Sequence, residues 1–199
     1  MTNPLASAAY LLSAHERRQL PPDAGAEVAF AGRSNAGKSS ALNALTGRNA
    51  LARVSKTPGR TQQLVFFGVA PERHLVDLPG YGYAKVPKEL QAHWQAFIES
   101  YFRTRQALNG LVVVMDIRHP LREYDREMLA FAVARELPAH ALLTKADKLG
   151  RGRQGEILRA VRRELEADFG DRVTVQTFSS ESRQGVDEAR AVVAGWLGM

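Results

Sequence analysis

The chain of 199 residues contains no cysteine, so neither disulfide bridges nor thiolate metal sites stabilise its fold. It also lacks any hydrophobic run that approaches the roughly 20 residues needed to span a membrane. Near the N-terminus a short apolar run is followed, and not preceded, by basic residues, which is the wrong order for a secretory signal. We therefore expect a soluble, cytoplasmic protein with no membrane partner.

Acidic residues are too few to balance the basic ones, since 27 Lys and Arg against 21 Asp and Glu leave a net charge of +6. Much of the excess lies in two clusters, Arg17 with Arg18 and the late group Arg151, Arg153, Arg159, Arg162 and Arg163. Such clusters neutralise phosphates of nucleic acid or an anionic membrane face. Because Glu156, Glu164 and Glu166 are interspersed among the late arginines, a solvated helix face is the alternative for that segment.

Six apolar runs predict six β-strands, at residues 27–32, 64–69, 74–80, 111–117, 141–147 and 173–180. Several runs are apolar at successive positions, which is typical of strands covered on both faces in a largely parallel sheet. Segments with helical spacing lie between and after the strands, at 90–101, 158–165 and 192–197. The alternation predicts an α/β fold of three layers, with helices on both faces of the sheet.

The chain has no linker long enough to separate two large domains, and its 45% hydrophobic content suits one core. The best boundary is "PPDAG" at 21–25, so residues 1–22 are predicted to be a helical N-terminal extension and residues 23–199 the domain itself. We interpret the aromatic residues Trp94, Phe97 and Trp196 as core anchors and not as platforms for base stacking.

The stretch "GRSNAGKSS" has the spacing of a phosphate-binding P-loop between a strand and a helix. Its backbone N–H groups turn inward toward phosphate oxygens, and glycine permits both the tight turn and the close approach. Lys38 adds a positive charge at the β- and γ-phosphates, and the Ser39 hydroxyl is the expected Mg²⁺ ligand. The predicted phosphate-binding residues are Gly32, Arg33, Ser34, Asn35, Ala36, Gly37, Lys38, Ser39 and Ser40.

Two later motifs specify the nucleotide. In "DLPG", Asp77 is placed to hold Mg²⁺ through water, and the Gly80 N–H to sense the γ-phosphate, with Leu78 and Pro79 between them. In "TKAD", residues 144–147, the carboxylate of Asp147 accepts two hydrogen bonds from guanine that adenine does not offer. This disfavours an ATP-dependent kinase or ATPase.

The remaining residues of the base site follow from the same motif and the last strand. The Lys145 stem is expected to pack along the base while its ammonium ties back to the P-loop. Thr144 stands where the commoner motif has Asn, so one side-chain amide is missing and base affinity is expected to be lower, while Ala146 completes the motif. "FSS", residues Phe178, Ser179 and Ser180, offers a backbone N–H to guanine O6.

The polar segment "VSKTPGRTQQ", residues 54–63, suits a switch that is ordered by the γ-phosphate and Mg²⁺. It offers Thr57 and Thr61 as metal ligands, and either hydroxyl could instead cap a turn. We prefer Thr61 because it lies immediately before the second strand.

The motifs "GRSNAGKSS", "TPGRTQ", "DLPGYGYAKV" and "TKAD" together resemble the EngB family of bacterial ribosome-biogenesis GTPases over about residues 20 to 199. The resemblance implies a Ras-like fold with a six-stranded, mostly parallel sheet and one antiparallel edge strand. It implies GTP and GDP as ligands and Mg²⁺ as cofactor. The implied partner is the large ribosomal subunit or its precursor, including rRNA, and we expect no binding to DNA. It assigns the first switch to Gly59, Arg60, Thr61, Gln62 and Gln63.

Tyr81 occupies the place where Ras-type GTPases carry the glutamine that orients the attacking water. Two routes to hydrolysis stay open: Asn35 helps to hold K⁺, as in related potassium-activated GTPases, or the ribosomal partner completes the site. Arg60 could also act in cis, although a solvent-exposed position is the simpler interpretation. We expect slow intrinsic hydrolysis.

The catalytic candidates are Lys38, Asn35, Thr61 and Gly80, and residues 82–86 are expected to report the nucleotide state to a partner. The alternative function is a nucleotide-gated docking module for the ribosome or rRNA, with incidental hydrolysis. A membrane-remodelling GTPase is disfavoured because the chain has no added helical domain.

Overall fold

Seven strands and five α-helices alternate along residues 2–52, 63–81 and 88–199, which are the parts of the chain that the computed structural model describes. The strands are β1 (Ala9–Ala14), β2 (Ala26–Gly32), β3 (Leu64–Ala70), β4 (Arg73–Asp77), β5 (Leu108–Asp116), β6 (Ala139–Thr144) and β7 (Val173–Thr177). The helices are α1 (Lys38–Thr46), α2 (Lys88–Thr104), α3 (Glu123–Ala134), α4 (Arg151–Phe169) and α5 (Val186–Trp196).

The strands form one sheet in the order β1-β3-β4-β2-β5-β6-β7. β4, β2, β5, β6 and β7 pair in parallel, whereas β3 is antiparallel to both of its neighbours. The predicted α/β class with a mostly parallel sheet is therefore confirmed. Because parallel strands end at one edge, the loops after β2, β4, β5, β6 and β7 gather there.

The sheet is covered on both faces, and the two central strands show how. In β2, Val28 and Phe30 face the core under α1 and α5, while Ala29 and Ala31 face the core under α2, α3 and α4. β5 alternates in the same way. Successive apolar residues therefore serve two different cores, which is the physical reason for the continuous hydrophobic runs.

The expectation of a helical N-terminal extension is wrong, because residues 9–14 form a seventh strand, β1, on the outside of β3. The predicted antiparallel strand is present as β3, but it is not at the edge of the sheet. Long-range contacts fix the segment: Leu5 is fully buried, and the Ser7 hydroxyl donates to the Val69 carbonyl at 2.5 Å. Pairing with the free edge of β3 thus prevails over the local preference of an Ala- and Leu-rich segment for helix.

The other predicted elements are present with adjusted ends. Three strands stop three residues earlier than expected, at Asp77, Thr144 and Thr177, and the residues that follow them become loops at the common edge. The three segments with helical spacing lie in α2, α4 and α5. Phe97 is a core residue and Trp196 packs partly buried against the core, whereas the side chain of Trp94 lies outside the described part. Among the helices of the described ranges, none combines the length and the hydropathy of a membrane-spanning segment.

A buried ionic cluster lies at the opposite, amino end of the strands. Glu27 of β2 is fully buried, and it accepts hydrogen bonds from Arg105 Nη2 at 2.5 Å and from the Tyr101 hydroxyl at 2.7 Å. Burial raises the pKa of Glu27, but these bonds, with His74 Nδ1 3.8 Å away, outweigh it and hold the pKa below its usual range. The cluster ties β2 to α2 through Tyr101 and to Arg105, the residue that follows this helix.

Replacing Arg105 by Met is expected to lower the free energy of unfolding at pH 7 by about 3 to 5 kcal/mol, because the Glu27 carboxylate stays buried without its partner. In the wild type the folded pKa is depressed, so the pair stabilises at neutral pH and this contribution is lost as pH falls through the folded pKa. In the variant, falling pH protonates the unpaired carboxyl and removes its cost. The difference in free energy of unfolding between the wild type and R105M should therefore become smaller as the pH falls from 7 to 4. Urea unfolding of both proteins at several pH values measures it.

The control is Gln106→Met, an exposed neighbour, which should change stability by no more than about 0.5 kcal/mol. An R105M protein as stable as the wild type at pH 7 would show that the cluster does not support the fold.

Candidate functional site

The loop between β2 and α1 is a tight turn that begins at Gly32 and ends at the N-terminus of a helix. A Cβ on Gly32 would lie 2.8 Å from the Val114 carbonyl oxygen of β5, so no side chain fits there. Asn35 and Gly37 both have left-handed backbones, with φ of 63° and 95°, and Gly37 caps α1. The turn therefore directs the N–H groups at the start of α1 toward the common loop edge of the sheet.

Lys38 and Asp77, 39 positions apart, meet in an ion pair, although they come from different elements. Lys38 is the first residue of α1, and Asp77 ends β4, where it pairs with Phe30 of the adjacent strand β2. Both side chains are mostly buried, with 11% and 16% of their surfaces exposed. The two residues predicted for the γ-phosphate and for the metal are thus neighbours, and Ser39 follows in the same helical turn.

Tyr81 continues the chain beyond Gly80 alongside the P-loop. Its carbonyl accepts a hydrogen bond from the Ser34 N–H at 3.0 Å, and its own N–H lies 3.4 Å from the Gly32 carbonyl oxygen. Its hydroxyl donates to Asp125 Oδ1 at 2.7 Å, at the start of α3. Burial, with the Asp125 carboxylate, raises the pKa of the phenol, so it stays protonated. The side chain is therefore bound to α3.

Thr144 joins the P-loop to the loop after β6. Its buried hydroxyl lies 2.5 Å from the Ala36 carbonyl oxygen and 2.9 Å from that of Met115, and a Cβ on Gly37 would approach it within 3.5 Å. The small side chain fits this contact, where its single proton is shared between two carbonyls. The Thr144 hydroxyl therefore faces protein backbone, and it fixes the position of "TKAD" against the phosphate loop.

Lys145 makes the second link between these loops. Its ammonium donates to the Asn35 carbonyl at 2.7 Å and lies 3.0 Å from Asp116 Oδ2, at the end of β5. Hydrogen bonds from Arg118, together with Lys145, hold the pKa of Asp116 well below its usual range. The Lys145 stem is thus stretched along the crevice at the loop edge, where a planar base could lie against it.

Asp147 is oriented by the loop after β7. The Ser179 hydroxyl donates to Asp147 Oδ1 at 2.5 Å, and the Lys148 ammonium lies 3.1 Å from Oδ2. The Ser179 hydrogen bond, with Lys148, lowers the pKa of Asp147, so the carboxylate is ionised at neutral pH. Backbone bonds hold the two loops together, since the Ala146 N–H donates to the Phe178 carbonyl at 3.1 Å. Ser180 is the next residue of the same loop.

The loop between β6 and α4, residues 145–150, contains most of the "TKAD" motif and is called the base loop below. The sequence analysis missed two glutamines that support it. Gln154 of α4 donates through its side-chain amide to the carbonyls of Ala146 and Leu149, at 2.8 and 2.9 Å. Gln184 donates to Gln154 Oε1 at 2.9 Å. A signal was present, because Gln154 lies on the core-facing side of α4, where a polar residue needs partners. Asp116 and Asp125 also lie at the site, and the sequence contained no comparable signal for either of them.

Part of the predicted first switch, Gly59, Arg60, Thr61 and Gln62, lies outside the described residues, as do Thr57 and residues 82–86. Gln63 is described and precedes β3, whose first residues pair beside the Asp77 end of β4. Ser40 is exposed in the first turn of α1. The described candidates from the P-loop, "DLPG", "TKAD" and "FSS" all lie at one edge of the sheet.

Comparison with known proteins gives concordant matches. A profile for the family described as "50S ribosome-binding GTPase" matches residues 27–145. The chain is 76% identical over 192 residues, 96% of both proteins, to the "Probable GTP-binding protein EngB" of Stenotrophomonas maltophilia.

Two solved structures share the fold. A crystal structure of a probable GTP-binding protein engB has a TM-score of 0.68 and 21% identity, covering 87% of this chain and 99% of that one. The structure of Era in complex with MgGDPNP and nucleotides 1506–1542 of 16S ribosomal RNA has a TM-score of 0.64 and 20% identity, covering 86% and 56%.

Replacing Ser179 by Ala removes the hydrogen bond that orients Asp147 and lowers its pKa. Because a hydrogen bond to a charged group contributes about 1.5 to 3 kcal/mol, GDP affinity should fall by roughly tenfold or more. The Asp147 pKa should rise toward its ordinary value, so the variant should lose GDP binding at a higher pH than the wild type. Titration with fluorescent GDP between about pH 3 and pH 7 measures both effects, because the ordinary pKa of an aspartate, about 3.9, lies inside that range.

Ser182→Ala is the matched control, since this exposed side chain belongs to the same loop and only its backbone N–H bonds to Ser179 Oγ. If S179A and S182A bind GDP with equal affinity and lose GDP binding at the same pH, the Ser179 hydroxyl has no orienting role.

Proposed function

The chain belongs to the EngB family of GTP-binding proteins, and we propose that it is a Mg²⁺-dependent GTPase switch that acts in assembly of the large ribosomal subunit. The observation that carries the proposal is the pair of links from the base loop to the P-loop, the Thr144 hydroxyl and the Lys145 ammonium. Through them the guanine contact and the phosphate contacts form one rigid site.

Guanine selection is assigned to Asp147. Its ionised carboxylate offers two acceptor oxygens, which match the N1–H and exocyclic amine of guanine. Adenine presents no such donor pair and would leave a charged acceptor unpaired. The backbone of Phe178, Ser179 and Ser180 is assigned to the remaining edge of the base, and Ala146 holds that loop in place through its bond to Phe178.

Phosphates and Mg²⁺ are assigned to the residues around Lys38. The residues present fit the metal, because Mg²⁺ in such sites takes few protein ligands and shares the rest with phosphate and water. Ser39 offers a hydroxyl, and Asp77 a carboxylate for a water-mediated contact. Thr61 is proposed as a further ligand from the first switch. When bound, Mg²⁺ neutralises charge on the β- and γ-phosphate oxygens.

We assign catalysis to the positioning of the phosphates and to positive charge around them. The side chain at position 81 is not expected to orient the attacking water. Lys38 and the Gly80 N–H stabilise the γ-phosphate, and Thr61 orders the first switch around it. Asn35 is exposed on the P-loop, where its amide could help to hold K⁺. Because the Tyr81 hydroxyl is bound to Asp125, it is not available to replace the missing glutamine. Slow intrinsic hydrolysis follows, stimulated by K⁺ or by the partner.

The ribosomal role rests on family and charge. The matching family is described as ribosome-binding, the fold neighbour Era was solved with ribosomal RNA, and the net charge of +6 favours contact with RNA. We place the protein in the cytosol, where precursors of the large subunit are assembled.

Replacing Asp147 by Asn should reverse the nucleotide preference. The wild type should bind GDP at least a thousandfold more tightly than ADP, because Asp147 would be left unpaired by adenine. In D147N, the Asn amide donates to the second carbonyl of xanthine, so XDP should bind better than GDP. Calorimetry with GDP, XDP and ADP measures the three affinities.

D147E is the control, because it keeps the charge and should not gain XDP binding. Comparable wild-type affinities for ADP and GDP would contradict a guanine site.

Hydrolysis of GTP should be slow in Na⁺ and rise in K⁺, with large ribosomal subunits, or with both together. Asn35→Ala should abolish the K⁺ effect and leave GDP binding nearly unchanged. The measurement is single-turnover hydrolysis in KCl against NaCl, with and without large subunits, together with co-sedimentation in GTP and in GDP.

Rapid hydrolysis under every condition would contradict the mechanism. Nucleotide-dependent co-sedimentation without any stimulated turnover would instead support the second candidate, a docking module with incidental hydrolysis. The bond between Tyr81 and Asp125 is the observation that favours this candidate.

A further inference from the structure

Helix α4 carries a stripe of arginines along one flank. With about 100° between successive residues, Arg151, Arg159, Arg162 and Arg163 fall within roughly 120° of the helix circumference. All four are exposed, and at about 1.5 Å per residue they extend over about 18 Å. Glu166 is the one carboxylate within this arc of the helix, so the arginine stripe keeps a net charge of +3 from four arginines and one glutamate.

The acidic residues of α4 lie mainly on the other flank, and they are already paired. Arg126 of α3 binds both Glu164 and Asp168, and Glu156 accepts a hydrogen bond from Arg153 at 2.9 Å. Within the described ranges, no carboxylate pairs with the four arginines of the arginine stripe. The helix is therefore divided by charge: one flank is neutralised by α3 and the other is not.

The chemistry of the arginine stripe matches phosphates better than a protein surface. Exposed large apolar side chains in the described part of the chain are Tyr10, Leu11, Phe131 and Met199, and none lies on α4. Protein interfaces depend on such apolar anchors, whereas arginine forks bind phosphate oxygens in pairs.

Two glycines between the arginines leave the helix backbone open. A Cβ on Gly152 would have no atom within 4 Å, and one on Gly155 would meet Arg159 Nη1 at 3.4 Å. A phosphate backbone could therefore approach closely.

We infer that the arginine stripe is an RNA-docking surface that binds the phosphate backbone of ribosomal RNA. The inference rests on the proposed ribosomal function, but it concerns a separate surface from the nucleotide site. α4 is fixed to the base loop through Gln154, and the base that this loop is proposed to bind is the same in GDP and in GTP. The contact should therefore form equally in the GDP and GTP states.

The test compares two variants with the same loss of charge. The first, R159Q/R162Q/R163Q, removes three arginines of the arginine stripe, and the second, R17Q/R18Q/R103Q, removes three exposed arginines elsewhere. Arg and Gln have similar helix propensities, so α4 should persist. Binding to protein-free large-subunit rRNA and to intact large subunits is measured with GDP, between 50 and 200 mM KCl.

The stripe variant should bind the rRNA at least tenfold more weakly near 100 mM KCl. The slope of log K against log salt should flatten by about two to three, because three phosphate contacts are lost. The control variant should retain most of the affinity. Fluorescent GDP should bind both variants as it binds the wild type, which shows that each is folded.

Equal losses in both variants, or no loss in the stripe variant, would overturn the inference. A loss on intact subunits but not on protein-free rRNA would also overturn it, because an acidic ribosomal protein would then be the partner. Failure of the proposed function looks different: the wild type itself would bind neither guanine nucleotide nor large subunits.

Discussion

The site depends on one buried hydroxyl, that of Thr144, which lies between the carbonyls of Ala36 and Met115. It fixes the base loop against the phosphate loop across 108 positions of sequence, and Lys145 repeats the link through Asn35. A shorter side chain than asparagine suffices because the P-loop backbone approaches closely at Gly37. The residues proposed to contact the base and the phosphates are thereby held in one geometry, and such preorganisation reduces the ordering cost of binding.

Tyr81 couples the phosphate edge of this site to α3. Its backbone runs beside Gly32 and Ser34, while its phenol is bound to the buried Asp125. Burial raises the pKa of Asp125 even though the phenol donates to it. Tyr81 therefore connects the phosphate loop to α3 through its backbone and its hydroxyl, and this hydroxyl already has a partner. Catalytic power is therefore expected to come from K⁺ or from a partner.

Charge is distributed so that the two ends of the sheet have different roles. At the amino ends of the strands, Arg105 neutralises the buried Glu27 and so contributes to the stability of the fold. At the carboxyl ends, Lys38 and Lys145 pair with Asp77 and Asp116 around the crevice. The four arginines of the arginine stripe lie outside both groups and have no carboxylate partner among the described residues, so they are free to meet an external anion.

The sequence by itself determined the α/β class, the order of the main elements and the motifs of the candidate site, because buried parallel strands and a P-loop leave strong local patterns. It could not predict β1, whose conformation depends on pairing with β3, a strand that lies 50 or more positions further along the chain. Nor could it identify Asp125 or the orienting role of Ser179, since these act through contacts between distant segments. Which arginines of α4 remain unpaired was also decided only by tertiary structure, because Arg126 of α3 removes the neighbouring carboxylates by pairing with them.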